Sequence, residues 1–395
     1  MLLNMREDEF LYKLKFFRCF FLVIIVLIVS VMTVMVLEGL LSLFENQQVR
    51  EATPNQYAFY RFDSKLGWNN EANSEGIYKR WEFEYAVKIN SYGMRYRNFA
   101  KDRNPAIYRV AVLGDSYTWG IGVADAERFT EKVEDLANHK IEMLNFGVAG
   151  YGPIQYYLRL DEIIEYKPDM VLIAFCLGND FADNVLWRRY GYPKPYAERN
   201  SNGTLAIKGY PLPNVGNFGF HQFSNSAVLD WLETHSAIGR RILLLVNNYE
   251  KSKNLKQQGL VNFASSQKDI YDENANSSST VREAVLINEM ILAKIKERLD
   301  AAGIKLVVME VPTKFEVGLE AGLLAEKKAN LRAHNALMSS LEKFSINKIE
   351  LIDDITAADF WRTDGHWRPS GHEKAAGKIY DSLKLQQEVI GFLMR

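Results

Sequence analysis

Three side chains in this sequence are of the types needed for acyl transfer through a serine. Ser116 stands in Gly114-Asp115-Ser116, directly after the apolar run Val110-Ala111-Val112-Leu113. Some 250 residues later comes Asp364-Gly365-His366. A serine hydroxyl becomes a useful nucleophile when it is exposed at a sharp turn beside an imidazole that takes its proton. A carboxylate must then hold that imidazole in one orientation and tautomer. This pattern predicts Ser116 as nucleophile, His366 as general base and then acid, and Asp364 as the orienting group.

Two more segments fall just past expected strands: Asn145-Phe146-Gly147-Val148-Ala149-Gly150-Tyr151-Gly152 and Gly178-Asn179-Asp180. The backbone N–H groups of Ser116 and Gly150, with the Asn179 side-chain amide, are suited to surround an oxyanion. Such donors typically contribute about 3–4 kcal/mol each at the transition state. Each residue also has a plainer role to weigh. A lone Ser116 would simply cap a helix, and Gly147 and Gly150 would permit a tight turn. Asp115 and Asp180 read as hydrogen-bonding partners at turns, and His372 as a packing or capping residue of the final helix. Asp364, His366 and His372 as metal ligands lack support from a further histidine, so no metal is expected. The glycines match neither a dinucleotide nor a P-loop spacing, and the serine lacks the G-x-S-x-G pattern. No cofactor is expected.

These groups need a scaffold that brings strand ends together. From Tyr108 the sequence alternates strand, turn and helix. Strands are expected at 108–113, 141–146, 169–176, 305–311 and 349–352. Helices are expected near 127–137, 153–166, 280–302 and 323–344, with a last one from Pro369. Such alternation predicts a parallel sheet covered on both faces, with its carboxyl-end loops sharing one edge. Residues 181–279 interrupt the pattern with aromatic loops, an apolar helix around 227–246 and a Ser/Asn-rich tail at 274–279. Before it all, Trp81-Glu82-Phe83-Glu84-Tyr85-Ala86-Val87-Lys88-Ile89 alternates with period two, as a hairpin strand would. The aromatic residues there and in the insertion suit either a core or a sugar-stacking platform.

The four blocks, in this order and at strand ends, closely resemble those of the SGNH hydrolases, also called the GDSL esterase/lipase family. Ser116, Gly150, Asn179 and His366 match the four residues of that name, over roughly 108–385 with the insertion outside. The resemblance implies a three-layer α/β/α sandwich with a central parallel sheet. It implies cleavage or transfer of acyl groups on lipids, thioesters or carbohydrates. In many members the aspartate lies three residues before the histidine, whereas Asp364 lies two before His366. That spacing, followed by Trp367, looks like the branch of bacterial polysaccharide O-acetylation proteins.

Composition fits such a protein. The chain has 395 residues, 48% hydrophobic and 25% charged, with net charge −1, so nucleic acid is not an expected partner. Cys19 and Cys176 are too few for a disulfide scaffold and read as small buried hydrophobes. From Phe20 to Leu37 no charge occurs, which is enough for a span of about 20 residues. Lys13, Lys15 and Arg18 precede it, so the positive-inside rule puts the N-terminus in the cytoplasm. A retained signal anchor is expected at 20–44, after a cytoplasmic 1–19. A linker and hairpin follow at 45–107, then a hydrolase domain at 108–390 holding the insertion 181–279. The expected function is an anchored extracytoplasmic serine esterase, its substrate an acyl ester on carbohydrate such as a cell-envelope glycan. An O-acetyltransferase of cell-envelope polysaccharide, and an inactive carbohydrate-binding scaffold, are the alternatives.

Overall fold

The computed structural model describes residues 2–43, 59–80, 82–189, 192–212, 236–239, 241–242, 279–314, 316–317, 331–362 and 364–394. Two compact units divide the chain, one made of Met1–Thr53 with Ser226–Tyr249, the other of Pro54–Asn225 with Glu250–Arg395.

In the first unit, helix α1 (Leu2–Leu43) contains the apolar stretch Tyr12–Leu43, of mean hydropathy 3.2. This is long and apolar enough to cross a membrane, and its large side chains are exposed on every face. Cys19 lies exposed on it, contrary to the expectation of burial, because a single helix has no core to enter. Glu38 accepts hydrogen bonds from the Ser236 hydroxyl at 3.0 Å and the Ile238 N–H at 3.1 Å. It thereby caps the short helical turn at 237–239. The rest of the apolar helix expected at 227–246, and the tail at 274–278, lie outside the described residues.

The second unit begins with two antiparallel hairpins. Strand β1 (Tyr60–Asp63) pairs with β2 (Gly67–Asn70), and β3 (Glu75–Lys79) with β4 (Glu84–Lys88). The period-two segment thus supplies β4, three residues later than expected. Tyr78 stacks on Phe83 and Tyr85, and all three are buried with Phe59 and Trp119. Their alternation marks a core, so the described aromatic residues of this hairpin pack inward.

The central sheet follows. Strand β5 (Tyr108–Gly114) leads to α2 (Ser116–Trp119) and α3 (Phe129–Leu136), then β6 (Ile141–Asn145). Helices α4 (Pro153–Leu158) and α5 (Leu160–Glu165) replace the single helix expected at 153–166. They meet at Arg159, whose buried guanidinium donates to the Phe146 carbonyl at 2.9 Å and to Glu162. Strand β7 (Met170–Cys176) runs into α6 (Asp180–Asp183). The described part of the insertion forms two hairpins, β8 (Arg188–Arg189) with β9 (Tyr192–Pro193), and β10 (Tyr196–Arg199) with β11 (Leu205–Lys208).

Helix α7 (Ser279–Ala301) returns the chain to β12 (Lys305–Val311), followed by α8 (Arg332–Lys343) and β13 (Asn347–Ile349). Helices α9 (Pro369–Lys384) and α10 (Gln387–Leu393) complete the chain. Strand β13 ends earlier than expected for a definite reason. The buried Glu310 carboxylate takes the N–H groups of Leu351 and Ile352 at 2.7 and 2.8 Å. Those donors are then lost to the ladder.

The five strands are all parallel, in the order β13-β12-β7-β5-β6. Ala111 and Leu113 of β5 enter one apolar layer with α4, α5 and α7, while Val110 and Val112 enter the other with α3 and α9. This is an α/β/α sandwich. Burying each large apolar side chain contributes roughly 1.5–3 kcal/mol, so a strand buried on both faces is a rigid mount. The chain leaves β5 toward β6 and returns to β7 on the other side, which makes the carboxyl end of β5 a switch point where a crevice forms.

Candidate active site

Ser116 sits at that switch point. The Asp115 carboxylate accepts the Tyr117 N–H at 2.9 Å, capping α2 and making Ser116 its first residue. The far end of this four-residue helix is held by Arg95, which is fully buried. Its guanidinium donates to the carbonyls of Trp119 (3.1 Å), Gly120 (2.7 Å) and Val123 (2.8 Å), and to Asp125 at 2.9 Å. A helix this short has no stability of its own. Capped at both ends by buried charged groups, it holds Ser116 firmly.

The loop after β6 presses against α2. A Cβ on Gly147 would lie 2.5 Å from the Trp119 nitrogen and 2.7 Å from the Thr118 carbonyl carbon, so only glycine fits. Asn145 ties the two segments, donating to the Thr118 carbonyl at 2.7 Å and accepting the Gly147 N–H at 2.9 Å. Further along, the Trp68 indole donates to the Ala149 carbonyl at 2.9 Å. Gly150 then takes φ +78°, a left-handed conformation that favours glycine.

Asn179 opens α6 at the end of β7. Its amide donates to Asp183 at 2.8 Å and, at a long 3.4 Å, to Asp180. Asp183 also binds Arg189 at 2.9 Å, and its carbonyl receives the buried Lys194 ammonium. Burial brings the Lys194 pKa down to about 8. Asp180 is a turn partner, as expected, accepting the Cys176 N–H at 3.1 Å and the Tyr156 hydroxyl at 3.3 Å. Burial, followed by the neighbouring Asp115 and Asp183, raises its pKa well above the carboxylate range.

The fourth block closes the arrangement. His366 Nε2 lies 2.8 Å from Ser116 Oγ, and its Nδ1 is hydrogen-bonded to Asp364 Oδ1. The same oxygen accepts the His366 backbone N–H at 2.9 Å. The two-residue spacing therefore lets one carboxylate oxygen hold both the ring and the main chain of the histidine. Burial raises the Asp364 pKa, but His366 and then Arg80 outweigh it and hold the carboxyl well below its usual range. Behind the pair, the fully buried Trp367 packs edge-on against Tyr117 with centroids 5.0 Å apart. The arrangement can pass the Ser116 proton to Nε2 while Nδ1–H stays on the carboxylate.

His372 keeps apart from this chemistry. It is buried in α9, and its Nδ1 accepts the Phe129 N–H at 3.3 Å, capping α3. Burial, then the nearby Arg128 and Arg95, brings its pKa down to about 3.

Sequence reasoning missed two contributors from the hairpin turn. Arg80 reaches the second oxygen of Asp364 at 2.5 Å. The Glu82 carboxylate accepts the N–H groups of Arg362 at 2.9 Å and Asp364 at 3.1 Å. A charge on either side of a turn reads as a solvated surface, and no local pattern points 280 residues ahead. Arg95 was hidden for the same reason.

Residues 271–391 match the family model described as the SGNH hydrolase-like domain of acetyltransferase AlgX. This stretch takes in Asp364 and His366, and Ser116 lies outside it. No curated relative matches. Among solved structures, a protein described as of the lipolytic G-D-S-L family from Desulfitobacterium hafniense DCB-2 is 12% identical, covering 69% of this chain and 98% of that one, with a TM-score of 0.35. The psychrotrophic esterase EstA from Pseudoalteromonas sp. is 13% identical, covering 70% of this chain and 97% of that one, with a TM-score of 0.36. Likenesses of that size carry no functional argument. Over 271–391 this chain is similar to that SGNH hydrolase-like domain, and of the four blocks that carry the resemblance in the sequence this stretch holds the last, Asp364-Gly365-His366-Trp367.

Proposed function

We propose that this chain is a membrane-anchored serine esterase that removes acyl groups, O-acetyl above all, from carbohydrate. The observation that carries this reading is the 2.8 Å contact between Ser116 Oγ and His366 Nε2, with Nδ1 on Asp364. In the first half-reaction Ser116 Oγ bonds to the ester carbonyl carbon as its proton moves to His366 Nε2. The N–H groups of Ser116 and Gly150, with the Asn179 amide, receive the oxyanion. Asp183 holds one Asn179 hydrogen and so orients the amide, and the hydrogen weakly placed toward Asp180 is the one to donate. On collapse the carbonyl–alkoxy bond breaks, and His366 returns the proton to the departing sugar oxygen. Water, activated by His366, then releases the acyl group from Ser116.

An O-acetyltransferase is the second reading, favoured by the description of the matching family model. It shares the first half-reaction, and an acceptor hydroxyl replaces water in the second. An acetate ester incubated with oligosaccharide acceptors distinguishes the two. Free acetate alone supports the esterase, and an acetylated oligosaccharide supports the transferase. If Ser116→Ala retains most of either activity, the nucleophile is misassigned.

Helix α1 acts as a retained signal anchor over 20–44 in this reading, leaving 1–19 in the cytoplasm. The hydrolase domain 108–390, with the hairpins before it and the insertion 181–279, then lies outside. Support comes from the length of the apolar stretch and the basic flank of Lys13, Lys15 and Arg18. A C-terminal fusion to a reporter active only outside the cytoplasm should be active. Activity of the reciprocal cytoplasmic reporter would reverse the topology.

A further inference from the structure

Asp364 has two oxygens, and only one faces His366. The other faces the turn between β3 and β4, where Arg80 reaches it at 2.5 Å. Two residues on, Glu82 accepts the N–H groups of Arg362 and Asp364 themselves. The Lys314 ammonium also supports this loop, donating to the Arg362 carbonyl at 3.0 Å. The hairpin turn therefore grips both the side chain and the backbone of the segment that carries the carboxylate. It comes from the chain preceding β5, outside the strand–helix alternation that builds the sandwich.

We infer that Arg80 is a positioning residue of the serine reaction, pinning the Asp364 carboxylate so that Oδ1 stays on His366 Nδ1, with Glu82 fixing the backbone beneath it. This rests on the esterase reading above. A carboxylate bound on one edge only can rotate about its Cβ–Cγ bond and offer His366 a poorer partner. Bound on both edges, it cannot. The guanidinium also offsets part of the carboxylate charge that would otherwise favour the imidazolium. Its removal should thus affect two observables, the rate and the pH at which the rate is lost. The charged and titratable groups acting on Asp364 are His366, Arg80 and Lys314, with Glu82 on its backbone N–H and the hydroxyls of Tyr78, Tyr85 and Tyr117 nearby, and Asp115 and His372 also act on His366.

The experiment compares wild type, Arg80→Met and Arg80→Lys in the full chain in detergent. It measures the rate of labelling by a fluorophosphonate and of aryl acetate hydrolysis across pH, with the melting temperature in parallel. Arg80→Met is expected to lower kcat by between about tenfold and 100-fold with KM little changed. The acid limb of its rate profile should move to higher pH, and Arg80→Lys should recover part of the rate. Rates within twofold of wild type, or a fall in rate that tracks lost stability with an unmoved acid limb, would overturn the inference while leaving the esterase reading intact. Failure of the wild type to label at Ser116 would overturn the esterase reading, and the role of Arg80 with it.

Discussion

Tyr117 donates its hydroxyl to the carbonyl of Gly365 at 2.7 Å, so the residue beside Ser116 is tied to the turn between Asp364 and His366. The Tyr117 ring also lies 5.1 Å from the His366 ring. One side chain thus registers two segments that lie at opposite ends of the sheet-forming chain. Tyr117→Phe keeps the ring and loses only the hydrogen bond. Stability should fall by about 1 kcal/mol, read from a urea titration, and kcat should fall while the protein stays folded. An unchanged kcat would mean that the backbone alone sets the Ser116–His366 distance.

Asp364→Asn tests the proposed triad at its least visible member. The carboxylate accepts from both the ring and the main chain of His366. An amide in its place can present N–H to Nδ1 and stabilise the wrong tautomer. The expected loss in kcat is about 10⁴-fold, with the fold retained. A loss below tenfold in steady-state assays would point to a Ser116–His366 dyad.

Gly147→Ala tests whether the close approach of the loop after β6 sets the position of α2. The added methyl would meet main-chain atoms of Thr118 and Trp119, which cannot turn aside as a side chain would. Overpacking of this kind costs about 1–3 kcal/mol. Because α2 carries Ser116, the variant should lose activity even where it remains folded. Equal stability and activity in the variant would show that α2 has room to shift.

His372 should make the protein acid-sensitive. Its folded pKa of about 3 lies below the unfolded value of about 6.5. The unfolded chain therefore binds the extra proton between those values, and stability is full above pH 6.5 and lost as pH falls toward 3. The slope is about 1.4 kcal/mol per pH unit for this one group. Glu134 and Glu316, whose burial raises each pKa to about 7, act with the opposite sign and cancel between wild type and variant. Between pH 6.5 and 5, wild type should lose about 2 kcal/mol more than His372→Gln. Parallel curves from chemical denaturation at the two pH values would refute the assignment.

The sequence alone determined the strand–helix alternation, because five apolar runs separated by amphipathic stretches can bury their surface in few other ways. It also marked Ser116, Asp364 and His366, since a nucleophile, a base and its orienting acid need particular residue types at strand ends. The apolar stretch of α1 was legible for the same reason, being set by composition. The tertiary structure decided what those residues touch. The sequence could not show that Glu310 would end β13, that Gly147 would seat on α2, or that Arg80, Glu82 and Arg95 would bond to the segments that carry the site. Alternation depends on neighbours in the chain, but such contacts depend on long-range packing, which a charged residue in a turn does not announce.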